Sequence, residues 1–376
     1  MSDESRKLSV LIGITSRSWG GNEKWATEAA RGLLCRGHRV VAFWTHATIR
    51  AELESRGIPA RRVRLWGDVN PFGFSALVRL LRGIRPDVLI LTKQREYWMG
   101  GLASRITGRP LVVLRHGLRR PLREDFKRRL AFGRFADLVI VNSGDVRDTL
   151  LGSEWLDPSK VRVLLNGVET SKVADGAGLD FLESLGIAPG TPVVAGVGRL
   201  TSQKGFDVLI RAMALVTEEM SGTRLVLVGE GSQRRSLEEL ARSEGLTDTV
   251  VFAGYRTDVR EILSAVDVYA LSSTNEGMAN TLLEAMSVGA PIVAADVSGS
   301  REAVRDGVDG LVIPPSDPTA LAGGILTLLR DRELSARLGA SARQRAVECF
   351  GRDRMASELE QLLWSGLNAR EESEPA

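Results

Sequence analysis

The same alternation runs through this chain twice: short runs of Val, Ile and Leu separated by segments whose apolar residues recur at helical spacing. In the first half the runs fall at 8–14, 39–44, 87–92, 111–115 and 138–141. In the second they fall at 193–197, 225–228, 250–253, 268–271 and 292–295. A strand that is apolar on both faces has to be covered on both, and a parallel sheet between two layers of helices does this. Segments 23–35, 74–81 and 126–135, then 206–216, 233–242, 279–288 and 319–329, carry the helical spacing that such layers need. Strand–helix–strand order predicts a doubly wound α/β fold, here built twice. A length of 376 residues exceeds what one core usually supports and agrees with two domains.

The boundary is expected where this grammar lapses. Residues 171–191 hold four glycines and one proline and read as a linker, with room for one short helix at 179–185. This makes 1–170 the first domain and 192–350 the second. Residues 351–376 are then a terminal segment, an amphipathic stretch at 354–367 that packs back on the first domain and ends in a polar, acidic tail from Arg370 with the composition of disorder.

The totals exclude several classes. Cys35 and Cys349 are the only cysteines and stand in no metal-like spacing, which suits a reducing compartment and no disulfide framework. No stretch approaches the roughly 20 apolar residues of a membrane span, and the acidic N-terminus lacks the pattern of a signal peptide. A cytoplasmic protein is expected, at most peripheral at the inner face of the plasma membrane. The net charge of +3 conceals an asymmetry: through residue 170 there are 30 Lys and Arg against 17 Asp and Glu, and beyond it 20 against 30. Such a split points to different partners for the two halves, with no nucleic acid expected among them. The segment from Arg115 to Arg134 concentrates eight basic residues against two acids, with Leu118, Leu122, Phe126, Leu130, Phe132 and Phe135 interleaved. It suits either an anionic membrane surface or a phosphorylated acceptor, or else a solvated helix face.

The densest chemical signal is Glu276-Gly277-Met278-Ala279-Asn280, followed by Glu284. It leaves a predicted strand, passes a polar turn and opens a helix. Eight residues turn a helix by about 800°, roughly 80° past two full turns, so two acids can address one site if the first precedes the helix. Backbone N–H groups from Gly277 to Asn280 would then face an anion. A helix start with an acid on either side suits a ligand that has phosphate in its middle and hydroxyls at both ends. A second cluster, Gly198-Arg199-Leu200-Thr201-Ser202-Gln203-Lys204-Gly205, ends the first strand of the second half. Its Arg199 and Lys204 form a diphosphate clamp, a bidentate fork and a point charge. The chain has no Asp-x-Asp, a pairing that commonly binds a divalent metal.

These motifs resemble the E-x7-E signature and the Arg/Lys pair of the family 4 glycosyltransferases. The resemblance covers nearly all of residues 7–365. It implies the GT-B fold: two Rossmann-like, doubly wound parallel-sheet domains facing across a cleft, the acceptor mostly in the first and a nucleotide diphosphate sugar mostly in the second. It implies retention of configuration, no metal or other cofactor, and a glycan or lipid-linked acceptor in cell-surface polysaccharide or glycolipid synthesis. Carried over, Glu276 binds the donor sugar, Glu284 the ribose, and Arg199 and Lys204 the leaving diphosphate. Gly229 and Gly231 match the family's nucleotide domain, and Tyr255, after Gly254, stands where the base is held. Gly20 and Gly21 match a loop beneath the diphosphate. His116 sits where the family has a histidine near the donor sugar. Met278 and Ala279 depart from the common aromatic and glycine, which leaves donor preference open. A sugar-nucleotide epimerase of the same fold and a silent nucleotide- or glycan-binding protein are the competing readings.

Overall fold

The computed structural model describes residues 6–17, 19–65, 70–122 and 124–373. It divides into two compact units, Met1–Gly167 with Arg352–Ala376, and Val168–Gly351.

The first unit is built on seven parallel strands: β1 (Ser9–Ile14), β2 (Arg39–Trp44), β3 (Ala60–Arg62), β4 (Val88–Leu91), β5 (Leu111–His116), β6 (Leu138–Val141) and β7 (Val161–Val163). Their order across the sheet is β3-β2-β1-β4-β5-β6-β7. Alternate residues feed opposite faces. Val10, Ile12, Val88, Ile90, Val113 and Ile140 enter one core, and Leu11, Leu89, Leu91, Val112, Leu114 and Val139 the other. This period of two is why continuous apolar runs were required.

The terminal helix Arg352–Ser373 closes the first face, where Met355, Leu359 and Leu363 are buried beside Trp25, Ala29 and Leu33 of the helix Gly21–Cys35. Contact is close enough that a Cβ on Gly32 would lie 2.4 Å from the Ala356 Cβ. A polar clasp fixes the register. The Leu8 N–H donates to His38 Nδ1 at 3.1 Å, so the other ring nitrogen carries the proton and donates to Glu360 Oε1 at 2.8 Å. Arg36 pairs with the same carboxylate, and Arg352 with Glu28 at 2.7 Å. The helix continues to Ser373, past the Arg370 at which disorder was expected, and Arg370 reaches Asp137 at 3.9 Å. Residues 374–376 lie outside the described residues.

The second unit has six parallel strands: β8 (Val193–Val197), β9 (Arg224–Val228), β10 (Val250–Gly254), β11 (Val268–Leu271), β12 (Ile292–Ala295) and β13 (Leu311–Ile313), in the order β10-β9-β8-β11-β12-β13. Residues 171–191, read from sequence as a linker, are packed into this unit. Leu182 and Ile187 are buried, Ser264 Oγ donates to the Ala177 carbonyl, and Gly178 has a left-handed backbone with no room for a Cβ, which would lie 2.2 Å from the Glu261 carbonyl oxygen. The glycines that suggested looseness serve turns and close approach instead. The 126–135 segment also differs from expectation: one α-helical turn, Phe126–Arg128, passes into a π-helix, Arg129–Phe135.

Two glycine substitutions test the packing. Gly32→Ala should lower stability by about 1–3 kcal/mol through overpacking against Ala356. Gly323→Ala, in the helix Pro318–Arg330 with open space around it, should raise it by about 0.5–1 kcal/mol. Denaturant midpoints of the two variants check both signs.

Candidate active site

In each sheet the strand order reverses once, between β1 and β4 and between β8 and β11. Loops leaving the carboxyl ends of such a pair diverge and leave a ligand crevice.

In the second unit these two loops are stitched together. The Thr274 N–H donates to the Gln203 carbonyl at 2.9 Å, and Ser272 Oγ to the Lys204 carbonyl at 3.0 Å. Gly205, at φ +62°, lets them meet: a Cβ there would lie 2.1 Å from the Ser272 carbonyl oxygen. The outcome is an ion pair between Lys204 Nζ and Glu276 Oε1, with the two side chains only 17% and 13% exposed. Ser273 Oγ also donates to Glu276 Oε1 at 3.4 Å. Arg199, on the same loop as Lys204, is exposed. Partial burial strengthens this pair relative to a surface salt bridge, because less water screens it.

The helix Asn280–Val288 begins with Ala279 at its cap, whose methyl cannot accept a hydrogen bond from the first turn. Thr281 Oγ1 is held by the Tyr269 hydroxyl at 2.8 Å, and burial pushes that phenol well above its ordinary pKa. Glu284 is buried at 5% exposure and shares the helix face of Asn280, four residues before it. Gly277, Met278 and Ala279 are buried as well. Behind them runs Gly299, where a Cβ would lie 1.9 Å from the Gly277 carbonyl oxygen.

Gly229 and Gly231 are occupied by packing of the neighbouring loop. A Cβ on the first would lie 1.9 Å from the Gly198 carbonyl oxygen, and on the second 2.3 Å from that of Leu200. Tyr255 is 54% exposed just beyond β10. Ser273, Gln203 and Gly299 escaped sequence reasoning, since their work is done through contacts between loops distant in sequence.

In the first unit, Gly20 and Gly21 open the helix Gly21–Cys35 after β1. The third residue of that helix, Glu23, is buried. It accepts a hydrogen bond from Ser16 Oγ and pairs with Lys93 Nζ at 2.7 Å. Glu96, fully buried, receives the N–H groups of Thr15 at 3.0 Å, Thr92 at 2.7 Å and Lys93 at 3.2 Å. One carboxylate thereby fastens the β1 loop to the β4 loop. Neither Lys93 nor Glu96 was foreseen, although the Lys-x-x-Glu spacing beyond a strand was visible.

His116, at the end of β5, is 5% exposed and turned into its own loop, with Nε2 at 3.0 Å from the Leu118 carbonyl. Burial, with smaller contributions from Arg115 and Arg128, lowers its pKa to about 4, so the ring is neutral at pH 7. It packs edge-on against Phe132. Arg115, counted among the surface cations by sequence, is 1% exposed, lies 4.8 Å over the Trp25 ring and donates from Nη2 to Asn166 Oδ1 at 2.9 Å. Arg128 pairs with Asp125. Arg119, Arg120 and Lys127 remain exposed, and Arg123 lies outside the described residues.

Two family models match the chain: "Glycosyltransferase Family 4" over residues 19–172 and "Glycosyl transferases group 1" over 180–345. It is 32% identical over 243 residues to the lipopolysaccharide core biosynthesis glycosyltransferase LpsE of Rhizobium meliloti, an alignment covering 64% of this chain and 68% of that one. With a D-inositol 3-phosphate glycosyltransferase of Acidothermus cellulolyticus it shares 31% identity over 351 residues, 82% of this chain and 78% of the relative. Against the Actinosynnema mirum protein of the same description, 39% identity extends over only 45% of the relative. Among solved structures, Anabaena Alr3699/HepE in complex with UDP-glucose superposes with a TM-score of 0.85 at 25% identity, covering 95% of this chain and all of that one.

The depressed pKa of His116 has a consequence for stability. As pH falls from 6.5 towards 4, the unfolded chain binds a proton that native His116 refuses, so stability drops through that window and this contribution levels off below it. Between pH 7 and 4.5 the wild type should lose about 2 kcal/mol more than His116→Gln. Denaturant titrations of both proteins at the two pH values check this.

Proposed function

This chain belongs to family 4 of the glycosyltransferases and transfers a sugar; within that family we propose that its donor is a nucleotide diphosphate sugar held by the second unit. The observation that carries this reading is the Lys204–Glu276 pair at the β8/β11 switch point, beside exposed Arg199 and the start of the helix Asn280–Val288. A diphosphate there meets Arg199, Lys204 and the N–H groups of the helix start. Glu276 then gives up Lys204 to the phosphate and receives sugar hydroxyls. Glu284 receives the ribose hydroxyls, and Tyr255 flanks the base.

In the transfer the bond from the anomeric carbon to the diphosphate oxygen breaks and a bond to the acceptor oxygen forms. Negative charge collects on the departing phosphate, where Arg199 and Lys204 stabilise it most. These two cations and the helix start make a metal unnecessary in this reading. The acceptor proton leaves with the phosphate oxygen on the same face, which retains configuration. Neutral His116, turned into its own loop, is not a proton donor at pH 7. HepE was solved with UDP-glucose, which makes uracil the first base to try. The relatives are transferases, which favours transfer over the epimerase.

For the acceptor we propose a glycan or lipid-linked glycan in cell-surface polysaccharide or glycolipid synthesis, the first unit lying peripherally on the cytoplasmic face of the membrane. No helix among the described residues is long and apolar enough to cross a membrane. Leu118 at 45% and Phe126 at 71% exposure stand among Arg119, Arg120 and Lys127, an amphipathic surface suited to anionic headgroups. Co-sedimentation with phosphatidylglycerol vesicles should fall in Leu118→Ser/Phe126→Ser.

Lys204→Ala should lower kcat by about 10²–10³-fold and abolish the thermal shift given by UDP. Glu276→Gln frees Lys204 from its partner, so UDP should bind at least as tightly while turnover of the UDP-sugar falls. EDTA should leave turnover unchanged. Equal loss of UDP binding and turnover in Glu276→Gln would place that residue on the nucleotide instead, and rescue of an EDTA-treated enzyme by magnesium would set aside metal-free transfer.

A further inference from the structure

At the end of the first sheet opposite its ligand crevice, where the chain runs into β4 and β5, lies an open cavity of about 960 Å³. Its wall includes Arg82, Arg85, Arg105, Arg109, Arg370 and Glu371, with Asp87 below. The acids are already engaged. Asp87 accepts the Ser9 N–H at 2.7 Å, and Glu371 pairs with Arg6 at 3.6 Å. Arg370 is turned to Asp137 at 3.9 Å. Arg105 donates from Nη2 to the Arg134 carbonyl, and it lines the space together with Arg82, Arg85 and Arg109. Burial, opposed by Asp137 and helped by the neighbouring Arg109, Arg370 and Arg134, holds the Arg105 guanidinium below its ordinary pKa.

Cations at the end of a helix complement its dipole. Arg82, in the last turn of the helix Pro71–Ile84, and Arg105, in the last turn of the helix Gln94–Arg105, need no other reason to be there. Arg85 and Arg109 do. Only three non-glycine residues among those described have positive φ: Arg85 at 49°, Arg109 at 51° and Ser316 at 59°. Two of the three are arginines of this cavity, and each directly precedes a proline, a position that favours extended backbone. Glycine or asparagine would fit the left-handed conformation better. The strands that follow are hydrogen-bonded neighbours, with Val88 opposite Leu111, so the two arginines stand side by side. Left-handed backbone at non-glycine residues clusters at functional sites.

We propose that this cavity binds a phosphate-bearing ligand, its oxyanions held by Arg82, Arg85, Arg105 and Arg109. Guanidinium forks match phosphate in charge and in planar geometry. Four of them around one space select a ligand with more than one anionic oxygen group, either a soluble phosphate ester or a lipid headgroup.

Arg85→Gly/Arg109→Gly removes two of the charges and suits the left-handed backbone, so the double variant should fold and melt near or above the wild type. Arg85→Asn/Arg109→Asn is a second variant with the same backbone tolerance. Titration with inorganic tripolyphosphate is run in an Arg199→Ala/Lys204→Ala background, which removes the donor-side cations as a second site. Introducing either pair of substitutions should weaken tripolyphosphate at least tenfold. Phosphatidylglycerol vesicles form the other arm. Loss of vesicle binding as well assigns the ligand to a lipid headgroup, whereas loss of tripolyphosphate binding with vesicle binding intact assigns it to a soluble phosphate. Unchanged binding of both probes in both double variants overturns the proposal, as does a parent protein that binds neither.

Discussion

Gly205 passes so close to the Ser272 carbonyl that no side chain fits between them, and the donor-side geometry rests on this approach. It brings the loop after β8 against the loop after β11, and only then does Lys204 reach Glu276. The Gly299 backbone behind Gly277 sets the other side of the motif loop in the same way. Each glycine here substitutes backbone proximity for side-chain packing. Loops bound at several points along their length hold their charged groups in place, and a charge that need not reorganise acts most strongly on a developing phosphate charge.

The first unit solves its equivalent problem with a carboxylate. Glu96, fully buried, receives N–H groups from both loops of its switch point. A buried acid is tolerated because its lone pairs are filled. The basic excess of this unit is likewise not a uniform coat. Arg115 is buried on Trp25, Arg128 and Arg36 are paired, and others gather at the far end of the sheet around Arg85 and Arg109. Net charge from composition therefore says little about where a charged partner would sit.

Much of the fold was legible. All ten apolar runs became strands because a strand buried on both faces cannot tolerate polar residues. The strands that escaped, β3, β7 and β13, are three residues each and lie at the sheet edges. Their residues are mostly exposed or only partly buried and leave no periodic trace, as suits edges kept short. Residues 171–191 misled because glycine marks both loose chain and obligatory tight contact, and composition does not separate the two. That Lys204 and Glu276 serve one donor was implied by the family resemblance, but their direct ion pair was not foreseen. Neither were the roles of Gln203, Ser273, Lys93 and Glu96, for they depend on which loops become neighbours.

Local order in the chain was enough to determine the alternating α/β architecture, its duplication, and the loops that would carry charge, since hydrophobic period and turn chemistry act over a few residues. Tertiary structure alone decided which charges meet and which are buried. It paired Lys204 with Glu276, turned His116 into its own loop as a neutral ring, hid Arg115, and set two strained arginines side by side before β4 and β5. These outcomes depend on distances and on the exclusion of water between segments far apart in sequence, and no window along the chain contains them.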